Sequence, residues 1–183
     1  LLHPAAKLSA NHALLERLFA LLDVSAVDQK GVWQVLSRVP ASLSYRERYE
    51  ALVHHSAEEP PRWEEWFSSE SPFRLLYALR MLCSFLPGSQ PLSAAEAEEK
   101  QRWCEAFVRL GGFQHLMRLL SDPNSPLQHV GEATTPTSAD EARADIWQRC
   151  LSTLLQIVYN LLKRGLENKS SLRLSTNMSA AQP

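Results

Sequence analysis

The sequence predicts an all-α fold, and three observations carry the prediction. Apolar residues recur with a period of about 3.6 in nearly every segment, the spacing of one helix face. No alternating strand pattern lasts, and no Asn-Gly or Asp-Gly hairpin turn occurs. Glycine is scarce (6) and proline moderate (11), a balance that suits helices separated by proline-marked breaks. Seven or eight helices joined mostly by short turns fit a globular bundle or stacked antiparallel helical hairpins.

The first helix is expected over Ala13–Leu22, with Asn11 as its cap and Leu14, Leu15, Leu18, Leu21 and Leu22 on one stripe. The second runs from Ala26 to Val39 and ends at Pro40. Ser25 and Asp28 have capping-box spacing, and Val32, Val35, Leu36 and Val39 form the apolar face. A third starts after Ser44, with Glu47 at the box position, and reaches His55; Tyr45, Tyr49, Leu52 and Val53 face inward. Glu58-Glu59-Pro60-Pro61 breaks the chain. Arg62–Phe67 reads as a short helical turn presenting Trp63, Trp66 and Phe67.

Ser71-Pro72 is a strong helix start, because serine caps and proline preorganises the first turn. The helix Pro72–Leu86 is apolar on more than half its circumference, which predicts a central helix contacted from two sides; Pro87-Gly88 stops it. Ser93 and Glu96 open the next helix, Ala94–Leu110, whose second half buries Trp103, Phe107 and Leu110. Gly111-Gly112 makes a sharp corner into Phe113–Leu120, with Phe113, Leu116, Met117 and Leu120 inward. Residues 121–138, with Pro123, Pro126, Gly131 and Pro136, form the longest loop. A connection of that length is functional or mobile. Ser138 and Glu141 cap the last helix, Glu141–Arg164, which Gly165 should end. The chain thus divides into a helical module over 1–165 and a polar tail or linker over 166–183.

Composition bounds the function. At 183 residues folding buries roughly 70% of the unfolded surface, so no metal or disulfide staple is needed. Nineteen basic against twenty acidic side chains leave a charge of −1, which argues against a dedicated nucleic-acid binder. No run of about 18 apolar residues spans a membrane. The start at Leu1-Leu2-His3-Pro4, without Met or a signal peptide, reads as an excised fragment of a longer array. Cys83, Cys104 and Cys150 lie apart in apolar stretches, as reduced, buried thiols of a cytoplasmic or nuclear protein do.

Candidate chemistry is thin. His54-His55 are adjacent, so they do not share a helix face, and no metal-ligand spacing exists. Cys104 and His115 are conceivable as nucleophile and base, but Cys104 lies between Trp103 and Glu105 on an amphipathic helix, a core position. Glu58-Glu59, Glu64-Glu65 and Glu96 to Glu99 lie at exposed helix starts rather than across a cleft. Gly111-Gly112 lacks the pattern of a phosphate loop. Catalytic residues, metal ligands, cofactors and a small-molecule substrate are therefore not expected. Among five tryptophans, Trp33, Trp103 and Trp147 sit on amphipathic helices as core residues. Trp63 and Trp66 fall in a short polar segment. They are either an exposed peptide-binding feature or a cap over the central helix. Trp63, Trp66, Phe67 and His129, the last in the long loop, are the candidate binding residues.

Two stretches resemble known families. Leu110-Gly-Gly-Phe-Gln-His-Leu-Met-Arg-Leu-Leu-Ser-Asp-Pro-Asn124 resembles the start of the third helix of an armadillo repeat. Ser71-Pro-Phe-Arg-Leu-Leu-Tyr-Ala-Leu-Arg80 and Trp103-Cys-Glu-Ala-Phe-Val-Arg-Leu-Gly-Gly-Phe-Gln-His-Leu116 resemble the helical scaffold of the giant ubiquitin-specific proteases of the fat-facets type. Gly31-Val-Trp-Gln-Val-Leu-Ser-Arg-Val-Pro40 is similar to the same region. The resemblance implies an armadillo/HEAT-like α-solenoid segment, without the catalytic Cys and His boxes, inside a deubiquitinating thiol protease. It implies protein partners or ubiquitinated substrates. The other reading is an armadillo-like peptide- or helix-binding module of an unrelated cytosolic regulator.

Overall fold

A computed structural model describes residues 11–24, 28–38, 42–56, 58–87, 93–130 and 138–179, without the side chains of 138–142 and 166–179. Eight α-helices and no strand occur among these residues. They are α1 (His12–Leu22), α2 (Gln29–Arg38), α3 (Leu43–Glu50), α4 (Trp63–Trp66), α5 (Pro72–Phe85), α6 (Ala94–Arg109), α7 (Gly112–Ser121) and α8 (Ser138–Ser179). A 3₁₀ turn, Ala51–His54, continues α3. Expectations for Ser25, Ala26, Val39, Pro40, Gly88, residues 131–137 and the Ser138/Glu141 side chains lie outside the described residues.

Helix α5 is the centre. Phe73, Leu75, Leu76, Tyr77, Ala78, Leu79, Met81 and Leu82 are all buried along it, so it has no wide polar face. It packs on α1, α3, α6 and α8, the contact from several sides that its apolar girth requires. The sequence neighbours α1 and α2, and α6 and α7, pack on each other. Tyr77 and Tyr49 tie α5 to α3 with polar tips on apolar rings. The Ser42 N–H donates to the Tyr77 hydroxyl at 2.9 Å, and the Tyr49 hydroxyl donates to the Ala78 carbonyl at 3.0 Å.

Local signals with local partners behave as expected. Asn11 accepts from the Leu14 N–H at 3.1 Å. Ser93 and Glu96 form a complete capping box. Gly111 has φ +87°, the only positive φ among the described residues, and turns α6 into α7. A Cβ on Gly112 would collide with the Phe107 ring, so this glycine is required by closeness rather than by φ.

Several expectations need correction. Phe19 fills the core from α1, and Trp33, as expected, from α2, while Leu21 and Val35 are exposed; Val53 and Met117 are exposed too, and His115 is buried instead. At these positions the buried face is turned from the predicted stripe toward the side that the neighbouring helices offer, whereas Trp103, Phe107 and Leu110 are buried as expected. Asp28, expected at the box position, is itself the cap of α2, accepting from the Gly31 N–H at 3.0 Å. Helix α3 starts two residues earlier than expected, after Ser42 rather than Ser44. Ser71 precedes α5 but makes no side-chain cap; its hydroxyl donates to Asp23 at 3.0 Å, a partner from α1's C-terminal end. Helix α8 continues through Gly165 to Ser179. An interior glycine costs a helix only about 1 kcal/mol, so it need not end one.

The corner generates a prediction. Gly112→Ala drives a methyl into the Phe107 ring and should lower unfolding free energy by about 1–3 kcal/mol, the usual cost of overpacking. Gly111→Ala, strained at positive φ, should cost about 1–2 kcal/mol. Urea unfolding measures both; midpoints equal to the parent's would contradict the packing at this corner.

Candidate interaction groove

A groove of about 630 Å³ opens where α3 and its 3₁₀ turn face the C-terminal half of α5 and the first turns of α6. Its apolar side is formed by Val53, Met81, Phe85 and Trp103, and its polar rim by Arg46, Glu50, Glu96, Glu99, Lys100 and Arg102. The amphipathicity of α6 explains the mixture. The helix begins in charged residues that stay in water and ends in Trp103, Cys104, Ala106 and Phe107, which are buried.

Most rim charges are already engaged. Arg46 and Glu50 pair at 2.6 Å, one turn apart. The Ser93 hydroxyl and N–H donate to Glu96 at 2.6 and 2.9 Å. These bonds hold the Glu96 carboxyl below its ordinary range. The Lys100 ammonium donates to the Ser84 and Leu86 carbonyls at 2.9 and 3.1 Å, closing the C-terminal end of α5, where a cation suits the helix dipole. Glu99 and Arg102, both on the rim, stand three residues apart and so share one face of α6.

Beneath the groove lies an aromatic cluster centred on Tyr49. Its ring contacts Trp66 (4.8 Å), Phe85 (5.4 Å), Trp103 (6.1 Å, parallel) and Phe67 (6.4 Å). Its carbonyl accepts from the Trp103 indole at 2.7 Å. Burial pushes the Tyr49 phenol well above its ordinary value, so it stays a neutral donor.

The sequence-predicted binding residues lie elsewhere. Trp63 and Trp66 are 7% exposed and Phe67 fully buried, the placement of a cap rather than of a displayed surface. The Trp63 indole donates to the Leu110 carbonyl at 2.8 Å, and its ring meets Phe107 edge-on at 5.1 Å. Arg48 covers Trp66 from outside, 5.3 Å above the ring. His129 is exposed on the turns after α7, outside the groove. Nothing in the sequence spacing marks the groove itself, because its residues come from three segments that meet only after folding.

Burial pushes the Cys104 thiol up to about 11 and the Cys150 thiol up to about 12; Cys150 donates to the Pro72 carbonyl at 3.2 Å. Thiols held so high are protonated at neutral pH and poor nucleophiles. Cys83, expected to be buried, is exposed, on the same side of α5 as exposed Arg80 and Ser84. His115, imagined as a base, is buried and titrates lower than usual through desolvation. Among the described residues no His, Cys, Asp and Glu group is placed to hold a metal. None of their helices is long and apolar enough to cross a membrane.

Comparison with protein families, with curated proteins and with solved structures finds no match to the chain.

The thiol environments make a direct prediction. In the native protein a neutral aromatic disulfide reagent should modify Cys83 first, with Cys104 and Cys150 reacting only on unfolding. Mass spectrometry of partial labelling checks the order; early modification of Cys104 would contradict its burial.

Proposed function

We propose that this chain is a non-catalytic protein-interaction module. In this reading it is an armadillo/HEAT-like segment of the helical scaffold of a large deubiquitinating cysteine protease. The domain that removes ubiquitin is then a separate one, and this segment positions protein partners or ubiquitinated substrates for it. The observation that carries the interaction role is the groove between α3, α5 and α6. An apolar wall beside a charged rim is the composition of protein recognition sites, where apolar anchors supply affinity and rim charges supply selectivity. The protonated, buried thiols support a non-catalytic role.

The narrower assignment to a deubiquitinase rests on the resemblance of residues 71–80 and 103–116, with the Gly111-Gly112 corner inside the second stretch. A second reading keeps the groove and drops the parent enzyme: an armadillo-like module of a cytosolic regulator that binds a peptide or helix.

Two measurements test the proposal. A ubiquitin-based covalent thiol probe should leave the chain unlabelled, and an adduct on Cys104 would overturn the non-catalytic role. In cells, a photo-crosslinking residue at Val53 or Glu99 should capture the same protein. The same residue at exposed Gln114 on α7 should not, and Arg102→Glu should weaken the groove adducts. Equal capture at all three positions would remove the groove from the argument. Ubiquitin conjugates or a ubiquitin-protease domain among the captured proteins favour the first reading over the second.

A further inference from the structure

The segment 58–71 carries the cap, and one buried histidine lies beneath it. His115 on α7 is 6% exposed, and its Nε2 is sealed from solvent with no hydrogen-bond partner. Its Nδ1 lies 3.7 Å from Oε1 of Glu64 on α4, and its ring centroid is 6.3 Å from that of Phe67. The charged groups acting on the ring are Glu64 from α4, which favours its protonated form, and Arg118 from α7, which opposes it; the Phe67 backbone also favours protonation. Burial outweighs these and lowers the pKa below the ordinary 6.5.

With its proton at Nδ1, a neutral imidazole has a single N–H to pair and leaves Nε2 as an unpaired lone pair, not as a buried donor. A protonated one has two N–H donors. Here the second would lie at Nε2, enclosed without an acceptor, and an unpaired buried donor on a charged ring is costly. Something must open to hydrate it. Helix α7 is ten residues long and joined to α6 and α8. The cap helix α4 is a single turn of four residues, too short to hold its shape without the side chains it inserts. It is bounded by Pro60-Pro61 and by Ser68–Ser71, and its seating rests on Trp63, Trp66 and Phe67. Lifting the cap is therefore the least costly way to bring water to His115.

We infer that His115 is a protonation-gated latch: neutral, it lets segment 58–71 seat over the α6–α7 corner, and protonated, it releases that segment. Release brings Trp63, Trp66 and Phe67 to the surface, the condition under which they become contact residues for a partner. The proposal stands apart from the groove and does not depend on what occupies it. The direction follows from linkage. The folded ring takes its proton less readily than the unfolded one, so the closed cap's stability is full above about pH 6.5 and falls as pH drops through the folded value.

Hydrogen exchange, corrected for the intrinsic pH dependence of the chemistry, tests this on the whole chain at about pH 7.5 and about pH 5. Peptides covering 58–71 should lose protection at the lower pH while those covering α5 keep theirs. His115→Gln, which cannot take up the charge, should keep the two pH values alike. Glu64→Gln removes the one carboxylate that favours the charged ring and should move release to lower pH. NMR titration of the wild-type imidazole reads the latch without any substitution. Titration at or above about 6.5 overturns the proposal, as does acid loss unchanged in His115→Gln or shared equally by α5.

Discussion

Everything in this structure is arranged around the need to cover α5. A fourteen-residue helix with nine buried residues cannot lie on a surface; it must be enclosed. Burying a Leu or Phe side chain is worth about 1.5–3 kcal/mol, so each uncovered side would forfeit several. The enclosure comes from α1, α3, α6 and α8, and the remaining elements brace those four. Helix α2 supports α1 and α8; it contributes Trp33, tilted against Phe73 at 5.7 Å. The α4 cap, too short to stand alone, fills the gap between α3 and the α6–α7 corner with three aromatic rings.

The polar bonds across the core share one design. Tyr49, Tyr77, Trp63 and Trp103 each bring a large apolar ring with one hydrogen-bonding tip, and each tip finds a backbone group. Tertiary contacts are thereby given direction without burying a charge. The ion pairs contribute less. Arg46–Glu50, Arg62–Glu65 and Arg149–Asp145 lie on the surface, where such pairs are worth about 0–1 kcal/mol. Arg74 is the more consequential: its guanidinium bonds Glu16 at 2.7 Å while lying 4.8 Å over the Phe19 ring, so one head group ties α5 to α1 twice.

Legibility in the sequence followed the range of the interaction. The Asn11 cap, the Ser93–Glu96 box and the Gly111 turn involve partners within a few residues, and they were readable. So was the enclosed position of α5, since its girth of apolar side chains allows no other. Rotations were not. Leu21 and Phe19 are equally apolar, and the choice between them belongs to the neighbouring helix; Val35 reads as fit for the core as Trp33 does, and only Trp33 is buried. Ser71 shows the same limit: Asp23, 48 residues away, offered its hydroxyl another partner. The groove was the least readable, because Arg46, Phe85 and Arg102 acquire a common wall only in three dimensions. Trp63, Trp66 and Phe67 were marked by their chemistry, but composition does not distinguish a ring that caps from a ring that is displayed.

The Tyr49 cluster also governs how this sequence can drift. Four rings and two hydrogen bonds converge on one residue, so Trp66, Phe67, Phe85 and Trp103 are each fitted to a neighbour that the others also fit. Replacing one leaves its partners mis-sized, and interaction energies among residues in contact do not add. Change there must come in sets, while the rim of α6 can vary one charge at a time. A distant cousin of this chain would then be recognised less by overall identity than by inheriting or losing the aromatic set as a block.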